Sequence, residues 1–161
     1  MQRMFPYFIS GPGAVGLLVL RLVVGAAFMF HGWDKIRNPF AWMDRPGQPP
    51  STTPDILQAL AALSEFGGGL ALILGLLTPL AAFGIACTMI VAITTVSLPA
   101  NQPFVAKGGG RSYELPLTFL AVMIMLMLVG PGSLSLDALI FGRNRRVPDD
   151  RLKMGQDGAG L

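Results

Sequence analysis

The amino-acid sequence predicts an all-α protein, embedded in a membrane as an up-down-up-down four-helix bundle with a short amphipathic helix near its C-terminal end. Only 13% of the 161 residues are charged and 52% are hydrophobic, whereas soluble domains carry about 25% charged residues. The apolar residues fall into four stretches, each close to the roughly 20 residues that a helix needs to cross a hydrocarbon core. These two observations favour a single membrane domain.

The first predicted span runs from about Gly13 to Trp33. It is apolar except for Arg21, and it ends on a tryptophan, a residue that favours the headgroup region of a bilayer. A proline-rich stretch follows at residues 36–55, "IRNPFAWMDRPGQPPSTTPD". We expect this stretch to be irregular and to lie in the membrane interface.

The second span begins at Pro54, because proline suits the first helical turn and the acidic residue after it favours the positive end of the helix dipole. It continues to about Leu77. Thr78 is then expected to cap the third span, which opens with Pro79 and ends near Leu98. The turn between these spans is short and uncharged, so we expect an antiparallel hairpin.

The fourth span is expected to start near Ser112 and to end at Gly130. The following "SLSLDALIF" is typical of a short amphipathic helix, closed by Gly142. Residues 1–142 are therefore predicted to form the transmembrane domain, and the polar tail 143–161 to be disordered.

An even number of spans places both termini on one side of the membrane. Basic residues are enriched on the cytoplasmic side of membrane proteins, and a basic cluster follows the fourth span directly, at Arg143, Arg145 and Arg146. We therefore expect both termini in the cytoplasm. The same placement of basic residues in loops and tails argues that the net charge of +3 does not mark a nucleic-acid-binding protein.

Several chemistries are excluded by residue counts. The single cysteine, Cys87, permits neither a disulfide within the chain nor a Cys-x-x-Cys motif. The single histidine, His31, cannot provide both axial ligands of a haem, and no spacing typical of a metal site is present. We expect no metal and no covalent cofactor.

Two charges fall inside predicted spans. Arg21 lies twelve residues before Trp33, roughly 18 Å along a helix, and Glu65 lies eleven residues after Pro54, roughly 16 Å. If Trp33 and Pro54 mark the same interface, both charges reach the same depth near the midplane. An isolated charge there costs about 2.5–3.5 kcal/mol on insertion scales, so we predict that Arg21 and Glu65 form an intramembrane ion pair.

A second polar layer is predicted nearer the loops, from the ends of the first and fourth spans. Small residues of the second span clear space beside it, because small side chains let membrane helices approach closely. The result would be a polar cleft that opens on the loop face. Its candidate residues, which are also candidates for quinone binding, are His31, Lys35, Glu114, Gly68 and Gly69.

Three segments together resemble the DoxX family of small four-helix membrane proteins. They are "RLVVGAAFMFHGWDKI", "LSEFGGGLALILGLLTPLAA" and "GGGRSYELPLTFLAVMIMLMLVGPGSLSLDAL". The resemblance covers about residues 14–141. It implies the bacterial cytoplasmic membrane and an association with redox enzymes, because the family takes its name from a subunit of a terminal quinol oxidase. The family's polar positions map onto Arg21, His31, Lys35, Glu65 and Glu114.

Three functions remain open. The first is an accessory subunit of a membrane-bound oxidoreductase or quinol-linked respiratory assembly, more a redox-associated subunit than a stand-alone enzyme. The second is a structural or assembly protein whose ion pair only fixes the bundle, and the third is a pathway for protons or small solutes. Membrane lipids, a redox enzyme complex and a second copy of the chain are the expected partners, and a quinone or lipid the expected bound molecule. No catalytic residue can be assigned.

Overall fold

A computed structural model describes residues 8–44 and 46–142, so the predicted tail 143–161 lies outside the described residues. The described ranges contain helices and no strand, which confirms the all-α prediction. The helices are α1 (Pro12–Arg37), α2 (Asp55–Leu74), α3 (Thr78–Val91) with a π-helical segment (Ala92–Ser97) continuing it, α4 (Glu114–Val129) and α5 (Leu136–Phe141).

Three of these helices are long and apolar enough to cross a membrane: α1 with 26 residues, α2 with 20, and α3 together with its π-helical segment with 20. The fourth, α4, has only 16 residues, so the expected fourth full-length span is shorter than predicted. It begins at Glu114 and not near Ser112, because the backbone N–H of Tyr113 donates to the carbonyl of Pro103 at 3.3 Å. Ser112 therefore does not cap the helix.

Glycines bring α1 and α2 into backbone contact. A Cβ atom added at Gly32 would lie 2.5 Å from the backbone nitrogen of Phe66, and one added at Gly25 would lie 2.7 Å from the carbonyl oxygen of Gly69. Such close approach through small residues is typical of helix pairs in membranes. It fixes the register of α1 against α2.

This contact predicts that Gly32→Ala destabilises the bundle by about 1–3 kcal/mol, because the added methyl group meets backbone atoms that cannot rotate away. Gly16→Ala is the matched control on the same helix, since nothing lies within 4 Å of a Cβ there. The control should be neutral or slightly stabilising. Denaturation in detergent, followed by circular dichroism, measures both, and equal stabilities would contradict the contact.

The helices α1 and α4 meet through large side chains instead. The rings of Phe28 and Phe119 pack with their centroids 4.8 Å apart, and a shared apolar core extends from them across α2, α3 and α4. Because aromatic rings hold these two helices apart while glycines draw α1 against α2, space remains beside the rings. A cavity occupies this space beside Phe28 and Phe119.

The turn between α2 and α3 is closed by a residue distant in sequence. Gly75 and Leu77 adopt positive φ angles of 64° and 48°, the left-handed region that a leucine rarely enters. Asp137 at the start of α5 accepts hydrogen bonds from the backbone N–H groups of Leu77 at 2.7 Å and Thr78 at 2.9 Å. The prediction that Thr78 caps α3 is therefore wrong, because Asp137 takes that role.

The chain after α1 folds back along the first turns of α2. The indole N–H of Trp42 donates to the carbonyl of Gln58 at 2.9 Å, and the side-chain oxygen of Gln58 accepts from the backbone N–H of Met43 at 3.1 Å. Segment 38–44 therefore packs against the first turns of α2, around the buried residue Gln58.

Candidate functional site

A cavity of about 210 Å³ lies near the loop end of the bundle, between α1, α2, the end of α3 and the start of α4. Two of its lining residues, His31 and Leu115, are exposed, so the cavity opens at the gap between α1 and α4. The walls are mostly apolar and aromatic, and the polar groups gather on one side. Its lining residues are Phe28, His31, Lys35, Glu65, Met89, Ala92, Leu115, Pro116 and Phe119.

An ion pair forms the polar side of the cavity. The Nζ atom of Lys35 lies 2.6 Å from Oε1 and 2.7 Å from Oε2 of Glu65, so one ammonium group binds both carboxylate oxygens. The side chain of Glu65 is 6% exposed and that of Lys35 is 24% exposed. The pair therefore presents a polar but electrically neutral surface, with Lys35 as the member that reaches outward.

Two aromatic rings lie beside the remaining polar group, the exposed imidazole of His31. Its ring centroid lies 6.4 Å from that of Phe28 and 6.5 Å from that of Phe119. Within residues 8–44 and 46–142, the imidazole nitrogens of His31 form no hydrogen bond with a protein group. The imidazole is thus available to donate to, or accept from, a bound molecule.

The predicted ion pair between Arg21 and Glu65 is wrong. Arg21 instead donates to the carbonyl of Leu134, and it packs so closely on Gly75 that a side chain there would overlap its guanidinium. The backbone N–H of Asp137 donates to the carbonyl of the same Gly75 at 2.9 Å, which brings Asp137 to the same turn as Arg21. Arg21 therefore belongs to the opposite end of the bundle.

The error lies in the assumed alignment of the first two helices. Trp33 packs on Phe66, with ring centroids 5.7 Å apart, so the end of the first predicted span is level with the middle of α2 and not with Pro54. Glu65 consequently meets Lys35. Arg21 lies fourteen residues from Lys35, about 21 Å along α1, which is too far to reach Glu65.

The Arg21 cluster joins α1, the α2–α3 turn and the start of α5. Arg21 is 0% exposed and Asp137 is 2% exposed. Among the described residues, the Nε and Nη1 atoms of Arg21 find no hydrogen-bond acceptor, and Nη1 packs against Gly75. We interpret this cluster as structural.

The other candidate cleft residues do not line the cavity. Gly68 faces Ile85 of α3, and Gly69 faces Met29 of α1, so both serve helix packing. Glu114 is exposed at the first turn of α4, next to the cavity residue Leu115. The structure thus brings together His31, Lys35 and Glu65, and leaves out Gly68, Gly69 and Glu114.

Sequence reasoning missed three residues that matter. Trp42 lies with its ring centroid 4.4 Å from the Nζ atom of Lys35, and Phe119 forms a wall of the cavity. Asp137 caps α3. The signal for Asp137 was present, because an acidic residue in the short apolar helix "LDALIF" needs a partner when it is buried. The roles of Trp42 and Phe119 depend on helix register and had no comparable signal.

Hydrogen bonding and proton exchange are the chemistry that this cavity offers. Within the described ranges, no three His, Cys, Asp or Glu side chains are grouped so that they could hold a metal ion. The cavity combines an apolar, aromatic slot with a few polar groups at one end, which is the usual construction of a small-molecule site. Its position among helices long enough to span a bilayer defines the class: a small multi-spanning membrane protein with a mostly apolar cavity that has polar groups on one side.

The chain belongs to the DoxX family. The DoxX family model matches residues 16–98, a range that includes His31, Lys35 and Glu65 but not the α4 residues of the cavity. No solved structure matches the chain at a comparable level of significance.

Full-length relatives agree with this assignment. "Inner membrane protein YqjF" of Escherichia coli is 32% identical over 130 residues, which cover 78% of this chain and 92% of the relative. "Uncharacterized membrane protein Rv3486" of Mycobacterium tuberculosis is 30% identical over 83% of this chain and 86% of its own length. "Putative oxidoreductase CatD" of Bacillus subtilis is 31% identical over 79% of this chain and 88% of its own length. The protein is therefore a membrane protein.

Proposed function

We propose that this protein is an accessory subunit of a membrane-bound oxidoreductase or quinol-linked respiratory assembly, and that its cavity binds the head ring of a quinone. The observation that carries the proposal is the neutral Lys35–Glu65 pair, which faces an aromatic slot near the loop end of the bundle. A quinone head needs polar partners for its carbonyl oxygens and an apolar surface for its ring. The cavity offers both.

The size of the cavity suits one substituted ring. An apolar cavity of about 150 Å³ inside a protein takes up benzene, and this cavity measures about 210 Å³. Phe28 and Phe119 provide ring faces and edges for offset or edge-to-face stacking. The gap between α1 and α4 gives an apolar tail a way out toward the surrounding lipid.

The polar groups suit the carbonyl oxygens of the ring. The imidazole of His31 can donate one hydrogen bond. Lys35, which lines the cavity, has three N–H donors, and the two oxygens of Glu65 engage it at 2.6 and 2.7 Å, which leaves one N–H that Glu65 does not use. Because Glu65 already neutralises the ammonium, an uncharged ligand does not have to displace an ion.

The association with redox enzymes is supported by the name of one relative. CatD of Bacillus subtilis is named as an oxidoreductase, and we extend that association to this chain. YqjF is named as an inner membrane protein, and we propose the same membrane here, with both termini in the cytoplasm as the basic cluster indicates. A reporter enzyme that is active only in the cytoplasm, fused to the C-terminus, tests this orientation.

Titration of the detergent-purified protein with a short-tailed benzoquinone tests the proposed function. We expect binding, and we expect His31→Leu to weaken it about five- to tenfold, because one hydrogen bond contributes about 1 kcal/mol. Phe30→Leu is the matched control, since Phe30 is exposed on the same helix and lies outside the cavity. It should leave the affinity unchanged.

Two outcomes would count against the proposal. If the wild-type protein and His31→Leu bound the quinone with equal affinity, the quinone would not bind in this cavity. A protein that is purified without a redox partner, and binds no quinone at all, would favour a structural or assembly role, in which the polar residues only hold the bundle together.

A further inference from the structure

The ring of Trp42 covers the ammonium group of Lys35, with 4.4 Å between Nζ and the ring centroid. That distance is within the range of cation–π attraction, about 6 Å. Lys35 is thus held by two neighbours at once, the carboxylate of Glu65 and the indole of Trp42. Both neighbours lie outside α1: Glu65 belongs to α2 and Trp42 to the segment that follows α1.

The position of Trp42 is in turn fixed by α2. Its indole N–H donates to the carbonyl of Gln58, and the side chain of Gln58 binds the chain on both sides, accepting from Met43 and donating to the carbonyl of Thr53 at 3.0 Å. Gln58 is buried. Two hydrogen bonds to Gln58 thus hold Trp42 and Met43 against α2, with the indole ring beside Lys35.

We propose that Trp42 is a positioning residue: it keeps the ammonium of Lys35 on Glu65, and the cavity therefore selects uncharged ring ligands over anionic amphiphiles. This inference rests on the proposed function, because it specifies which ligands the same cavity accepts. It assigns a role to the loop after α1, which the DoxX match alone does not explain.

The physical reason is the freedom of the lysine side chain. Lys35 is already 24% exposed, and a long cationic side chain moves its charge into water when nothing holds it. If Trp42 were removed, the buried carboxylate of Glu65 would lose its cation for part of the time. A carboxylate only accepts hydrogen bonds, so it would repel the carbonyl oxygen of a quinone.

The full-length protein in detergent tests this role by titration with a short-tailed benzoquinone. Trp42→Leu should bind the quinone about five- to tenfold more weakly, whereas Trp42→Phe, which keeps an aromatic face but loses the N–H that binds Gln58, should bind it more tightly than Trp42→Leu does. Rescue by phenylalanine separates cation–π positioning from a merely structural role. If Trp42→Leu binds like the wild type while Lys35→Met binds weakly, the role of Trp42 is refuted.

Selectivity for uncharged ligands is tested with decanoate as the probe. The wild-type protein should bind decanoate more weakly than the benzoquinone. Glu65→Gln leaves the Lys35 cation without its counter-ion and should bind decanoate at least about tenfold more tightly than the wild type. Equal binding of decanoate by both proteins would refute the selectivity.

A third measurement needs no quinone. The chain has two tryptophans, so Trp33→Phe leaves Trp42 as the only tryptophan, and its emission is excited at a wavelength that tyrosine does not absorb. In that background, Lys35→Met should shift the emission of Trp42, because the cation leaves the ring face. No shift would refute the contact even if Trp42→Leu cannot be purified. A shift without any quinone binding by the wild type would support the contact and refute the proposed function.

Discussion

Replacing Lys35 with methionine is expected to lower the free energy of unfolding by about 2–4 kcal/mol. Breaking a fully buried ion pair costs about 3–5 kcal/mol, because the remaining charge stays buried without compensation. The expected loss is smaller here, since Lys35 is 24% exposed and water can reach the pair from that side. Denaturant titration in detergent, followed by circular dichroism, measures the change.

The double variant Lys35→Met with Glu65→Leu is the control. It removes both charges together, so it should recover most of the lost stability, while it should bind the benzoquinone poorly. Recovery of stability without recovery of binding would separate the chemical role of the pair from its structural role. A double variant as unstable as Lys35→Met alone would contradict the pairing with Glu65.

Asp137→Ala is expected to have the largest effect on stability, lowering the free energy of unfolding by about 3–5 kcal/mol. Two backbone N–H groups, those of Leu77 and Thr78, would lose their acceptor, and each unsatisfied buried group costs about 1–3 kcal/mol. Buried Arg21 would also lose the carboxylate near it. The same denaturant titration in detergent measures the loss.

Two variants calibrate this prediction. Asp137→Asn keeps one carbonyl oxygen and should cost clearly less than Asp137→Ala. Ser135→Ala removes the side-chain cap of α5, where the hydroxyl oxygen accepts from the backbone N–H of Ala138 at 3.1 Å, and should cost about 1 kcal/mol. If Asp137→Ala costs no more than Ser135→Ala, Asp137 does not hold the α2–α3 turn.

The helices themselves could be predicted because their signals are local. Apolar runs and prolines at the first turns placed the starts of α1, α2 and α3 within two residues of their positions in the structure. The start of α4 was predicted two residues early, near Ser112, because the hydrogen bond between Tyr113 and Pro103 joins residues ten apart. The π-helical segment Ala92–Ser97 had no recognisable pattern.

The sequence singled out the polar residues inside the spans, but the predicted pairing of Arg21 with Glu65 was wrong. Arg21, His31, Lys35 and Glu65 stood out because charged and polar groups are costly inside an apolar span. Their partners depend on the register of α2 relative to α1. The backbone contacts of Gly32 with Phe66 and of Gly25 with Gly69 fix that register. A shift of one helix past another changes every pair while the sequence of each helix stays the same.

The amino-acid sequence was enough to identify a helical membrane protein of the DoxX type and the side chains that are too polar to face lipid. The folded structure was needed to show that Glu65 binds Lys35, that Arg21 lies at the far end of the bundle, and that the ring of Trp42 covers the ammonium group of Lys35. The physical reason is that hydrophobicity and capping act within a few residues of the chain. Ion pairs and ring contacts depend on the positions of helices whose register is set by backbone contact at glycines.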